Sequence, residues 1–123
     1  MAKQTILIVD DDPSIVNVLE LMLSMEDYQI ITASNGEEGV QMAKQHRPHL
    51  ILMDVIMPEM NGYMATTLLK SDSTTKHIPI ILLTATAQMA GNIAVDKNAA
   101  FTIHKPFEPE ELIAKVNEIL QGH

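Results

Sequence analysis

The chain contains no cysteine, which excludes disulfides and thiolate metal sites and is compatible with a reducing compartment. It also lacks a basic surplus: 8 Lys and Arg against 16 Asp and Glu give a formal net charge of -8. Phosphate-backbone binding needs a basic face, so nucleic acid is not an expected partner. Cationic partners or a bound divalent metal are. No apolar run approaches the length of a membrane span, and Met1 to Gln4 run directly into a strand-like segment with no room for a signal peptide. No linker, repeat or low-complexity segment interrupts the chain. What remains is 123 residues, 46% hydrophobic and 20% charged, the expectation for a single cytoplasmic domain spanning 1–123 with no membrane partner.

Five short apolar runs organise that domain. Thr5 to Val9 and Leu50 to Met53 are continuous rather than alternating, the pattern of strands buried on both faces; Tyr28 to Thr32 reads as a shorter strand, Ile78 to Leu83 as another apolar one and Ala99 to His104 as the last. Helical stripes separate them. Pro13 suits a first helical position with Asp12 as its cap, ahead of Ile15, Val16, Leu19, Met22 and Leu23. Ser34 or Asn35 can cap a helix holding Val40 and Ala43, which must stop near His46-Arg47 before Pro48. A third helix from about Gly62 is expected to turn Met64, Leu68 and Leu69 inward. A short, weakly patterned one is expected within 85–98, with Gly91 in its middle. The last starts at Glu108-Pro109, carries Leu112, Val116, Ile119 and Leu120, and ends at Gly122. Strand and helix thus alternate, which predicts a doubly wound α/β fold with a five-stranded parallel sheet.

In such a sheet every strand ends on the same edge, where open α/β folds bind their ligands. The polar residues at those ends are Asp10-Asp11-Asp12, Asp54, Thr84 and Lys105. Clustered carboxylates repel, so one holds a proton or a cation sits between them. Oxygen-only ligands without a histidine pair or cysteine favour Mg²⁺ over zinc. His46, His49, His77, His104 and His123 are scattered without ligand spacing. Magnesium beside a hydroxyl and a lysine can stabilise a phosphoryl group, with Asp54 as nucleophile. Asp12 reads as a helix cap rather than a ligand. The nine methionines, Met57, Met60 and Met64 among them, read as core or loop filler.

The chain resembles the receiver domain of two-component response regulators, most of all the single-domain, chemotaxis-type members, from Ile6 to about Leu120. The motifs are the acidic pair after the first strand, Asp-x-x-Met-Pro-x-x-x-Gly from Asp54 to Gly62, Thr84-Ala85, and Lys105-Pro106-Phe107. The resemblance implies a flavodoxin-like (βα)5 sheet of order 2-1-3-4-5. It implies that Asp54 accepts a phosphoryl group from a phosphohistidine on a sensor histidine kinase or histidine phosphotransfer protein, switching contacts with a downstream protein target. It further implies that Asp11 binds Mg²⁺ directly, Asp10 through water, and Ile56 by its backbone carbonyl. Thr84 and Lys105 would hold the phosphoryl oxygens, with a cis Lys105-Pro106 bond.

Two features depart from the family pattern. The usual aromatic three residues before the lysine is replaced by Thr102, and Phe101, one residue earlier, faces the other side of a strand. The spacing from Thr84 to Lys105 is also about one residue shorter than the family's. The positions two after Asp54 and two after Thr84, which influence hydrolysis of the phosphoryl group in this family, are Ile56 and Thr86, and neither can orient a water. Slow self-dephosphorylation is the expectation. A metal-dependent aspartyl-phosphate phosphohydrolase is the competing reading, but such enzymes carry a second aspartate where Ile56 stands. A scaffold that is never phosphorylated is another, and the intact acid, hydroxyl and lysine set argues against it. The chain is therefore read as a switch that assists its own phosphorylation, not as an enzyme on an external substrate.

Overall fold

The computed structural model describes residues 3–57, 60–84 and 99–122. Its strands are β1 (Thr5–Val9), β2 (Gln29–Ala33), β3 (Leu50–Asp54), β4 (Ile80–Thr84) and β5 (Phe101–His104). They form one parallel sheet of order β2-β1-β3-β4-β5, the order expected. The helices among the described residues are α1 (Pro13–Met25), α2 (Gly36–His46), α3 (Gly62–Ser71) and α4 (Pro109–Gln121). The helix expected within 85–98 lies outside the described residues, as do Thr86 and Pro58.

The continuous apolar runs are explained by two cores, one on each face of the sheet. Leu7, Val9, Ile51, Met53, Ile80 and Leu82 pack with Val40 and Ala43 of α2 and Ala65 and Leu69 of α3. Their strand neighbours Ile6, Ile8, Leu50, Leu52, Ile81, Leu83 and Ile103 pack with Leu19 and Leu23 of α1 and Leu112 and Val116 of α4. Alternate side chains of one strand thus enter opposite cores. Each fully buried Leu or Ile contributes about 1.5–3 kcal/mol, so a strand register shift would be very costly.

Helix ends follow local chemistry. Asp12 caps α1 through the Ser14 amide at 2.9 Å, with Pro13 in the first turn. The Asn35 side chain accepts from the Glu38 amide at 2.8 Å, and Glu38 reaches back to the Ser34 amide at 3.1 Å, a reciprocal cap. Arg47 closes α2 in the left-handed region before Pro48. Gly122 closes α4 at φ 74.

One face of α3 differs from the expectation. Leu69 is buried, but Met64 is 52% and Leu68 47% exposed. The buried residues are Gly62, Ala65, Thr66 and Leu69, a true helical stripe at steps of three and four. Gly62 lies so close to the end of β3 that a Cβ there would overlap the Asp54 carbonyl oxygen. The helix start therefore sits against the strand, where only small side chains fit. Met57 and Met60 are buried or partly buried as core filler, whereas Met64 is not.

Candidate functional site

The sheet register brings the acids together. Val9 pairs with Met53, so Asp10, one residue on, is level with Asp54 at the end of β3. The ladder continues past the strands: the Asp10 amide donates to the Ala33 carbonyl at 3.1 Å and the Val55 amide to the Leu83 carbonyl at 2.9 Å. Asp54 pairs with Leu83 and Leu83 with Ile103. Lys105, two residues beyond, is tethered by its amide to the Thr84 carbonyl at 2.7 Å. The Lys105-Pro106 bond is cis, as expected.

Asp10 and Asp54 are almost wholly buried, at 2% and 5% exposure, while Asp11 is exposed. One oxygen from each lies within 4.8 Å of the others. The Lys105 ammonium donates to Asp54 Oδ1 at 3.1 Å and to Asp10 Oδ2 at 3.3 Å. Asp10 Oδ1 accepts from the Asp12 amide at 2.9 Å, which fixes the carboxylate's orientation. Asp12 itself is occupied in capping α1. Two buried acids thus share one ammonium with an exposed third acid beside them, and the surplus is negative.

The titration of Asp54 records that surplus. Burial first, and then the charge of Asp10, push its carboxyl up from 3.8 to about 6, against the hydrogen bond and charge of Lys105. Burial pulls the Lys105 ammonium down, but its hydrogen bond to Asp54 and the charges of Asp10 and Asp54 outweigh this and hold it above its ordinary value. A cation between the carboxylates would relieve what one lysine leaves uncompensated. The donor set is oxygen only, from groups already converged, and it fits a hard divalent ion such as Mg²⁺.

Thr84 ends β4 beside this cluster and is fully buried. Ile56 follows two residues after Asp54 with its side chain 51% exposed. Thr102 lies mid-strand in β5. Its neighbour Phe101 packs into the α1–α4 core, with the Lys115 ammonium 4.1 Å from its ring centre. Phe101 therefore occupies the opposite face from Thr102, as strand alternation requires. Beside Asp10 and Asp11 a cavity of about 220 Å³ opens between α1 and the β2–α2 turn, lined by Asn17, Thr32, Ser34 and Glu38 among others. Sequence reading did not identify it, because apart from Asp10 and Asp11 its walls come from segments that carry no motif.

Comparison with known proteins agrees with this architecture. The family model of the response regulator receiver domain matches residues 6–117. Protein PilH of Pseudomonas aeruginosa is 37% identical over 118 residues, covering 95% of this chain and 98% of that protein. The probable transcriptional regulator ycf27 of Cyanophora paradoxa is 39% identical over 97% of this chain, which corresponds to 49% of that protein. The chain spans about half the length of ycf27 regulators in general. Among solved structures, the receiver domain of the sensor histidine kinase PA1611 of Pseudomonas aeruginosa superposes with a TM-score of 0.87 at 31% identity. The match covers 98% of this chain and 99% of that one, which holds a magnesium ion in its active site cleft. No described helix is long and apolar enough to cross a membrane. A parallel sheet of this order, an acid cluster at its carboxyl edge and a family match over most of the sequence place the chain in the response regulator receiver domain family.

Proposed function

We propose that the protein is a phosphorylatable signalling switch in which Asp54 accepts a phosphoryl group from a phosphohistidine on a sensor kinase or phosphotransfer protein. The observation that carries this reading is the Lys105 ammonium bridging Asp54 and Asp10 while Asp11 stands within 4.8 Å of both. Asp10, Asp11, Asp54 and the backbone carbonyl of Ile56 would hold Mg²⁺, Asp10 through water. When bound, the ion supplies positive charge to the oxygens of the transferring group.

The chain's own groups do the rest. An Asp54 oxygen attacks phosphorus, the phosphorus–nitrogen bond of the donor breaks, and the imidazole keeps the electron pair. Attack needs the carboxylate form, and with its carboxyl at about 6 Asp54 is mostly ionised at pH 7.5. Lys105 moves from pairing carboxylates to pairing a phosphoryl oxygen, and the Thr84 hydroxyl donates to another. Burial of Asp54 limits access by water. The partners are then the phosphohistidine donor and a downstream protein, not nucleic acid or membrane, and no external metabolite is turned over.

Incubation with acetyl phosphate and Mg²⁺ tests this. The expected result is one phosphoryl group per chain, dependent on Mg²⁺ and absent in Asp54→Asn. Labelling that survives in Asp54→Asn, or no labelling of the wild-type chain, would refute the assignment. Continuous release of phosphate from added esters would favour a phosphohydrolase.

A further inference from the structure

Gly36 is the first residue of α2, and it is buried. Conformation does not demand glycine there, because among the described glycines only Gly122 has a positive φ. Inside a helix glycine is also less favourable than alanine. What its missing side chain permits is a contact. A Cβ on Gly36 would lie 2.5 Å from the Met60 carbonyl oxygen and 3.1 Å from Met60 Cβ and Cγ. The obstructing atom is backbone, so no rotamer change relieves it.

Helix α2 cannot retreat. Gly39 backs onto β1 so closely that a Cβ there would meet the Val9 methyls at 2.8 and 2.9 Å. Val40 and Ala43 are buried against the sheet, and the Asn35–Glu38 cap locks the first turn. The Met60 segment must yield instead, by ~1 Å to regain ordinary van der Waals separation. Met60 lies in the connection between β3 and α3, as Ile56 does. The other end of that connection is pinned as well. The Gly62 amide donates to the Val55 carbonyl at 2.8 Å, and Gly62 touches the Asp54 backbone.

We propose that Gly36 is a positioning residue for the Asp54 site: α2 serves as a wall against which the β3–α3 connection is set, and only a residue without a side chain lets it sit there. This rests on the phosphoacceptor reading above. Displacing Met60 pulls on Gly62, whose amide is bonded to the Val55 carbonyl, and so moves the Ile56 carbonyl beside it while leaving the three carboxylates chemically intact.

Mg²⁺ titration calorimetry, amide NMR and thermal unfolding of the full chain test it, comparing Gly36→Ala with Gln41→Gly on the exposed face of α2. Gly36→Ala is expected to weaken Mg²⁺ binding by about tenfold or more. It should also shift the Val55 and Ile56 amide resonances in metal-free protein, without a fall in Tm that would explain either change. Gln41→Gly lowers Tm and keeps Mg²⁺ affinity within about twofold of wild type. A Gly36→Ala protein with wild-type affinity and unshifted amides would overturn the proposal. Should that variant fail to fold, Gly36→Ala combined with Met60→Gly relieves the side-chain crowding and leaves the backbone overlap. Weaker Mg²⁺ binding than in Met60→Gly alone then supports the proposal, and equal binding overturns it. Failure of wild-type protein to bind Mg²⁺ or take up phosphate would instead remove the phosphoacceptor reading, and this inference with it.

Discussion

Two polar clusters of this molecule are built on opposite principles. At the carboxyl edge of the sheet, Asp10 and Asp54 share the Lys105 ammonium, with Asp11 close beside them. At the other cluster, the buried Tyr28 hydroxyl donates to Asn117 Oδ1 and accepts from Gln121 Nε2 at 3.1 Å. Asn117 in turn donates to Glu26 at 3.2 Å. The Tyr28 cluster ties the end of α4 to the α1–β2 corner with hydrogen bonds that satisfy its buried atoms. The Asp54 cluster holds like charges together with too little compensation, and so works against the fold. The cluster that opposes stability is the one proposed to take up the phosphoryl group.

The largest effect separates the two outright. Asp54→Asn should abolish Mg²⁺-dependent phosphate incorporation, whereas Tyr28→Phe should leave it near wild type. Mass spectrometry after exposure to acetyl phosphate reads both. Equal loss in the two variants would erase the distinction.

Lifetime of the phosphorylated state comes next. Ile56, half exposed beside Asp54, cannot orient a water, so decay of the phosphoprotein should take longer than a few seconds. Ile56→Asn should hasten it about tenfold, well below the usual gain from a positioned general base. Decay of wild-type phosphoprotein within seconds would contradict the role given to this position.

Stability should then change with opposite signs. In metal-free buffer at pH 7.5, Asp54→Asn should stabilise the fold by about 1–2 kcal/mol, allowing for solvent screening of the buried charge. Tyr28→Phe should cost about 1 kcal/mol from its lost hydrogen bonds. The Asp54 gain depends on pH in a definite direction. Its folded carboxyl, at about 6, binds a proton more tightly than the reference value of 3.8, so wild-type stability falls relative to the variant as pH rises from 3.8 to 6. The gap is small at the lower end, grows across that window and levels off above it. Urea unfolding at pH 4 and 7.5 measures it, and a gap independent of pH would remove the buried-charge explanation. The smallest effect belongs to neither cluster: Lys115→Gln, which removes the cation over Phe101, should cost about 0.5 kcal/mol.

The contrast also explains what could be read from the sequence. Strands and acids were legible because four of the five apolar runs lead into Asp10, Asp54, Thr84 or Lys105, and a parallel sheet puts those ends on one edge. The register that sets Asp10 level with Asp54 then follows from pairing alone. The Tyr28 cluster was not legible, since its partners lie 89 and 93 residues away and none belongs to a motif. The inward face of α3 was misjudged because Met64 and Leu68 are large and apolar. The close approach of Gly62 to β3 instead selects Ala65 and Thr66. The His49 Nδ1 accepts from the Thr5 amide at 2.9 Å, a strand-edge contact no spacing rule reveals.

On this reading the acid edge stays short of positive charge until a divalent ion binds. Thermal unfolding of wild type and Asp54→Asn across a Mg²⁺ titration tests it most directly. Wild-type Tm should climb with Mg²⁺ concentration as a site binding only the folded state requires, while the Asp54→Asn curve stays nearly flat. Parallel rises in both proteins, or no rise in wild type, would contradict the account.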